Sequence, residues 1–242
     1  MKDIKAVLKK VWHFIWEDNS IWSWMLNVVL AFILIKFLVY PSLGFMLQTS
    51  HPVVAVVSES MEHRSTPSCL SQEDSKIFFF SHMDCKEYSY SICGQSFKER
   101  KFFGIDEYWK TCSQWYETNS EITKESFSDF PIKNGFNRGD IMVLRGKEPK
   151  DIKTGDVVVF WSSKKDPIIH RVVKKWQENG VYYFQTKGDH NDNSLRGVFL
   201  DETNIHENRI VGNAILRIPL LGYVKIWFVD GFNLLKSGLQ KG

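Results

Sequence analysis

The sequence predicts a mainly β fold. A coiled, partly closed antiparallel sheet follows an N-terminal transmembrane helix and is interrupted by an α-containing insertion. Three observations carry this reading. Ile21 to Tyr40 is apolar apart from Ser23, Asn27 and Lys36. From Arg138 onward, short runs of β-branched residues alternate with Gly-Asp turns. Between these regions, Glu62 to Phe136 is polar and aromatic and holds all four cysteines.

A chain of 242 residues has room for one membrane segment and one sizeable domain. The formal charge of +3 is small, and no basic run is interleaved with exposed aromatics, so nucleic acid is not an expected partner. The richness in Phe and Trp suits a packed core with a membrane anchor, not a disordered chain.

In chain order, Met1 to Asp18 carries Lys2, Lys5, Lys9 and Lys10 among Val11, Trp12, Phe14, Ile15 and Trp16. This is the pattern of a segment lying on lipid headgroups. Asp18-Asn19-Ser20 offers N-cap chemistry. Twenty helical residues then span about 30 Å, the thickness of a bilayer core. Trp22, Trp24 and Tyr40 stand at the ends of that span, and Lys36 can snorkel outward. Pro41 is expected to stop or kink the helix. The preceding lysines put the N-terminus in the cytoplasm and the rest outside. A cleaved signal peptide would have a shorter apolar core, so an uncleaved anchor is the expectation.

Val53 to Val57 reads as a buried strand leading into Ser58-Glu59-Ser60-Met61, with the two serines on one face. In the polar region, Cys69, Cys85, Cys93 and Cys112 lack C-x-x-C spacing, which argues against zinc. Outside the membrane, two disulfides are expected; three pairings are open. Trp109, Cys112, Trp115 and Tyr116 recur at helical spacing as a small core, and Thr123 to Asp129 suggests another short helix. The later strands are Ile141–Leu144, Val157–Trp161, Ile168–Val173, Val181–Phe184, Asn208–Ile218 and Tyr223–Phe228. The apolar Leu220 to Leu235, broken by Lys225 and Asp230, reads as a strand and a short helix at the membrane surface.

Among seven histidines, His170 stands out because it interrupts a strongly apolar strand; His190, beside Asp189, competes with it. A serine hydroxyl needs such a base to act as a nucleophile, and the base needs a carboxylate to fix its tautomer. Ser60, His170 and either Asp189 or Asp192 could meet at one sheet edge. The Ser60 amide and the Ser58 hydroxyl could stabilise an oxyanion.

The order of boxes resembles signal peptidase I, the archaeal and endoplasmic-reticulum branch in particular. The boxes are Ser58-Glu59-Ser60-Met61-Glu62, Arg138-Gly139-Asp140, Gly155-Asp156-Val157-Val158-Val159-Phe160, Ile169-His170-Arg171-Val172-Val173, Thr186-Lys187-Gly188-Asp189 and Arg217-Ile218-Pro219-Leu220-Leu221-Gly222-Tyr223. The resemblance implies a membrane-anchored serine endopeptidase that removes signal peptides from secretory preproteins without a cofactor or metal. Ser60 would be the nucleophile, His170 the base, Asp189 or Asp192 the acid, and Ser58 and Met61 oxyanion or substrate-binding residues. Signal peptides, membrane lipid and translocation machinery would be its partners. The implied layout is a cytoplasmic segment (1–19), an anchor (20–47), a peptidase domain (48–62 and 137–228), a Cys-containing insertion (63–136) and a membrane-proximal tail (229–242). In three places the chain departs from the family. Leu195 occupies the place of the family's second aspartate, His63 stands where a proline is usual, and the insertion lengthens a normally short gap. The rival readings are a non-catalytic docking module for exported proteins and a self-cleaving serine peptidase.

Overall fold

The computed structural model describes residues 2–18, 20–69, 88–164 and 166–223. The chain divides into two compact units, 1–48 and 49–242.

The first unit is helical: α1 (Lys2–Trp16), α2 (Ile21–Leu34), a π turn (Ile35–Val39) and α3 (Tyr40–Leu47). Ser20 caps α2, accepting from the Ser23 amide at 3.3 Å. Two polar side chains of α2 bond the open carbonyls at the end of α1, Ser23 to Phe14 and Asn27 to Ile15. These satisfy groups that no further turn of α1 would reach. Ile21–Leu47 forms one apolar stretch of 27 residues, long enough to cross a membrane. Pro41 does not end it. Proline lacks an N–H and its ring crowds the carbonyl four residues back. The π turn absorbs that conflict, with the Tyr40 amide bonded to Ile35 O. The helix closes on Gln48 in the left-handed conformation.

The second unit is mainly β. A seven-stranded antiparallel sheet has the order β1-β5-β10-β6-β7-β8-β9: β1 (Val53–Ala55), β5 (Ile141–Arg145), β6 (Val157–Phe160), β7 (Ile168–Glu178), β8 (Val181–Lys187), β9 (Ile205–His206) and β10 (Ile210–Ile218). Register shifts in β7 and β10 mark bulges, which sharpen the coil of a sheet. All four residues of the central β6 are buried. Val157 and Val159 pack with Met61, Phe136, Met142, Leu144 and Ala214. Val158 and Phe160 pack on the other face with Val172, Phe184, Leu200 and Ile205. Strand alternation thus sends one short run into two cores.

The expected long strand ahead of Ser60 is shorter than the sequence suggests. β1 ends at Ala55, the chain stays extended with Val56 bonded to Asp140, and Glu59–Glu62 forms a turn. Ser60 therefore sits on a turn.

The segment between β1 and β5 carries a separate three-stranded sheet, β2 (Thr66–Cys69), β3 (Tyr88–Ile92) and β4 (Gln95–Phe97), with the helices α4 (Ile105–Asn119) and α5 (Lys124–Ser128). Tyr108, Trp109, Cys112 and Tyr116 share one face of α4 and join Ile92, Ile122, Phe127 and Val173 of β7 in a third core. A disulfide joins Cys93 to Cys112. The second expected disulfide involves Cys85, which lies outside the described residues. So does nearly all of the Tyr223–Phe228 strand and the tail beyond.

Candidate active site

Three side chains from distant parts of the chain stand in series. Ser60 Oγ is 2.8 Å from His170 Nε2. On the other side of the ring, His170 Nδ1 bonds the carboxylate of Glu202. With Nδ1–H donating to the carboxylate, Nε2 is left to accept the Ser60 proton. Ser58 Oγ lies 3.1 Å from Ser60 Oγ, so the two hydroxyls converge.

The sheet explains how these groups meet. His170 is on β7, opposite Val158 of β6, and is buried. Glu202 is fully buried in the loop between β8 and β9. It is held by Thr186 Oγ1 at 3.0 Å and by the Leu195 amide at 2.8 Å. The backbone pairs the same two residues, because the Glu202 amide donates to Leu195 O. Thr186 pairs with Val172, so it lies on the same face of the sheet as His170.

Asp189 and Asp192 were the expected carboxylates, and neither touches His170. The pleat supplies the reason. Arg171 follows His170 on β7, so its side chain leaves by the opposite face. There it grips Asp189 through two bonds, Nε to Oδ1 at 2.9 Å and Nη2 to Oδ2 at 2.7 Å. Its remaining donors go to the carbonyls of Pro131, Gly155 and Ile132. Asp189 also takes a bond from His63 Nε2 at 3.0 Å. Burial alone would push the Asp189 carboxyl up, but the Arg171 guanidinium and the His63 bond hold it well below the usual carboxylate range. Asp189 is thus the anion of a buried structural pair. Asp192 is exposed and lines a pocket of about 260 Å³ beside the Cys93–Cys112 bridge.

Other expected residues also find different neighbours. Met61, expected on the oxyanion or substrate side, is buried in the core of the sheet, and its sulfur accepts the Asp189 amide at 3.3 Å. His190 is remote from the base position: its amide donates to Ser60 O at 2.9 Å and its ring bonds Thr66 Oγ1 at 3.0 Å. Burial pushes the His190 imidazole below its ordinary value. Gly188 lies so close to the Ser60 turn that a Cβ there would meet Ser60 O at 2.6 Å. Lys187 is fully buried under the rings of Tyr116 and Trp115. Burial pushes its ammonium down to about 8.

Sequence reasoning missed Glu202 and His63. The one available signal for Glu202 was the absence of a carboxylate at Leu195, which required another acid from nearby in the chain.

Chemically, a hydroxyl, an imidazole and a buried carboxylate in this order are the parts of an acyl-transfer site, in which the ring moves a proton from the alcohol. A curled antiparallel sheet bearing such a site defines a class of hydrolase-like proteins, and comparison with known proteins narrows the class. The chain is 38% identical over 102 residues to the signal peptidase complex catalytic subunit SEC11C of Homo sapiens, a match taking in 41% of this chain and 53% of the relative. It is 34% identical over 138 residues to the catalytic subunit SEC11 of Lachancea thermotolerans, taking in 55% of this chain and 80% of the relative. For SEC11 of Candida tropicalis the figures are 34% over 122 residues, 49% and 71%. No protein-family profile matches. The chain spans about half the length of the mammalian relatives it matches. It belongs to the family of signal peptidase catalytic subunits.

Proposed function

We propose that this chain is a membrane-anchored serine endopeptidase that removes signal peptides from secretory preproteins. The observation that carries the reading is the 2.8 Å approach of Ser60 Oγ to His170 Nε2, with Glu202 on the far side of the ring. Ser60 Oγ attacks the scissile carbonyl while His170 Nε2 takes its proton. The carboxylate of Glu202 stabilises the resulting imidazolium. The tetrahedral oxyanion is received by the Ser60 amide and the Ser58 hydroxyl. His170 then returns the proton to the leaving amine, the C–N bond breaks, and an ester to Ser60 remains. A water, deprotonated by His170, cleaves that ester and frees the new carboxyl terminus and the Ser60 hydroxyl.

The substrate lies extended against β1, an end strand of the sheet among the described residues, where main-chain hydrogen bonds give affinity without sequence preference. Helix α1 rests on the cytoplasmic leaflet. Lys5, Lys9 and His13 share one face, and the exposed Ile4, Val7 and Val11 share the opposite one. The lysines before the span support a cytoplasmic N-terminus with the sheet unit outside. Translocation machinery would deliver the preproteins.

The test is cleavage of a preprotein by the purified chain in lipid. Ser60→Ala and His170→Ala each abolish cleavage in folded protein. Cleavage that survives Ser60→Ala overturns the reading.

A further inference from the structure

The insertion between β1 and β5 is wrapped around one short segment, Lys187–His190, and that segment holds the backbone of Ser60. The His190 amide donates to Ser60 O at 2.9 Å, and the Cys93 amide donates to His190 O at 2.9 Å. With its Nδ1–H on Glu62 O, the His190 ring accepts the Thr66 hydroxyl at Nε2. Tyr108 donates to Asp189 O at 2.7 Å and Tyr116 to Asp189 Oδ1 at 3.4 Å. The Tyr108 ring stacks flat on His63 at 3.8 Å, and His63 bonds the same aspartate. Trp115 and Tyr116 cover Lys187. Apart from His63, which precedes β2, these insertion residues lie on β2, at the β3–β4 turn, or on α4. The Cys93–Cys112 disulfide ties that turn directly to α4.

These contacts have one direction in common. They restrain Lys187–His190 from the side away from His170, and through His190 they fix where the Ser60 turn can sit. Near-attack geometry tolerates little displacement, since a shift of about 1 Å costs roughly 10²-fold in rate. We propose that the insertion is a positioning brace for Ser60, that Tyr108 and Tyr116 are its bearing residues, and that the Cys93–Cys112 bond locks it. The proposal rests on the peptidase reading for its kinetic consequence but not for its structural one. Oxidation of the two thiols, with loss of two protons and two electrons to a disulfide-forming oxidant outside the membrane, would then mature the enzyme after translocation.

The experiment compares wild type, Cys93→Ser/Cys112→Ser and Tyr108→Phe as full chains in lipid. The serine pair keeps the Cys93 backbone amide, and Tyr108→Phe keeps the ring stack while removing one hydroxyl. Amide exchange is read in residues 58–62 and 186–192, and kcat and KM are read on a preprotein below any unfolding temperature. Expected in the disulfide variant are at least roughly tenfold faster exchange in both segments and a roughly 10- to 100-fold lower kcat with KM nearly unchanged. Tyr108→Phe shows the same pattern to a smaller degree. Unchanged exchange overturns the brace, and so does faster exchange with full kcat, because a merely stabilising insertion would behave that way. Should the disulfide variant not fold, Tyr108→Phe decides on the same two readouts. If wild type cleaves no preprotein, the functional reading fails, and exchange alone decides whether the brace exists.

Discussion

Replacing Glu202 by Gln tests the least expected member of the site. The substitution preserves size and keeps an oxygen for Thr186 Oγ1 or the Leu195 amide, which now bond the two carboxylate oxygens. What it removes is the negative charge facing His170 Nδ1. In the proposed mechanism that charge acts when Ser60 gives up its proton and the ring becomes an imidazolium. A neutral amide can also offer an N–H to the ring, which favours the wrong tautomer. Loss of the analogous carboxylate in a serine triad costs roughly 10⁴-fold in kcat. A fall of roughly 10³- to 10⁴-fold is therefore expected here, or about 4–5.5 kcal/mol of transition-state stabilisation at about 1.4 kcal/mol per decade. KM should change little. The comparison is Asp189→Asn, assayed beside it by preprotein cleavage and by thermal unfolding. Asp189→Asn leaves Arg171 buried without its counter-charge, a loss of about 3–5 kcal/mol that appears first as a lower Tm. If Glu202→Gln keeps kcat within about tenfold while Asp189→Asn abolishes turnover in folded protein, Glu202 is not the acid of this site.

Four further outcomes follow from the same neighbourhood and from α1. Gly188→Ala forces a Cβ to within 2.6 Å of Ser60 O, so kcat should drop roughly 10- to 100-fold without loss of preprotein binding; an unchanged kcat would mean that the turn yields freely. The lowered Asp189 group contributes stability present above its unfolded pKa of about 3.9 and lost as pH falls further, so wild type should lose Tm in acid more steeply than Asp189→Asn. Lys187 acts in the same sense in the alkaline range: with a folded value of about 8 against about 10.4 unfolded, stability rises from about pH 8 to 10.4, by about 3 kcal/mol in all. Lys187→Met should abolish that rise in Tm. Finally, Val7→Glu/Val11→Glu charges the apolar face of α1, and quenching of Trp fluorescence by brominated lipid should fall in vesicles containing anionic lipid; undiminished quenching refutes the interfacial placement.

Much of the architecture could be read from the residues because it follows period and composition. The continuous, mostly β-branched run in Val157–Phe160, the Gly-Asp turns and the apolar Ile21–Tyr40 stretch each specify an element through local physics. Ser60 and His170 stand out for a different reason, the order of motifs together with an imidazole interrupting an apolar strand, and the structure brings them within 2.8 Å although Ser60 sits on a turn. Of the two outcomes expected at Pro41 the stop does not occur, because the π turn just before it absorbs the conflict and the helix continues. The carboxylate was illegible because its position depends on which face of β7 each neighbour takes. Asp189 follows a strand end and looks poised for His170, yet the residue it meets is Arg171, one step along the pleat.

The loop from Leu195 to Glu202 shows how the site accommodates the missing acid. By the spacing that the resemblance implies, Leu195 takes the place of a second aspartate, and its own amide bonds Glu202 Oε2. The backbone of Glu202 pairs with the same residue, while Thr186 holds the other carboxylate oxygen from the neighbouring strand. A glutamate has one more methylene than an aspartate, so it can reach the ring from the facing arm of the loop. The charge next to His170 is therefore kept, although the chain that delivers it is different. An aspartate restored at Leu195 in the Glu202→Gln background separates position from chemistry. Recovery of at least roughly tenfold in kcat would show that the ring needs a carboxylate and not this particular loop. No recovery would show that the Leu195 amide and Thr186 hydroxyl, which orient Glu202, are as necessary as the charge they hold.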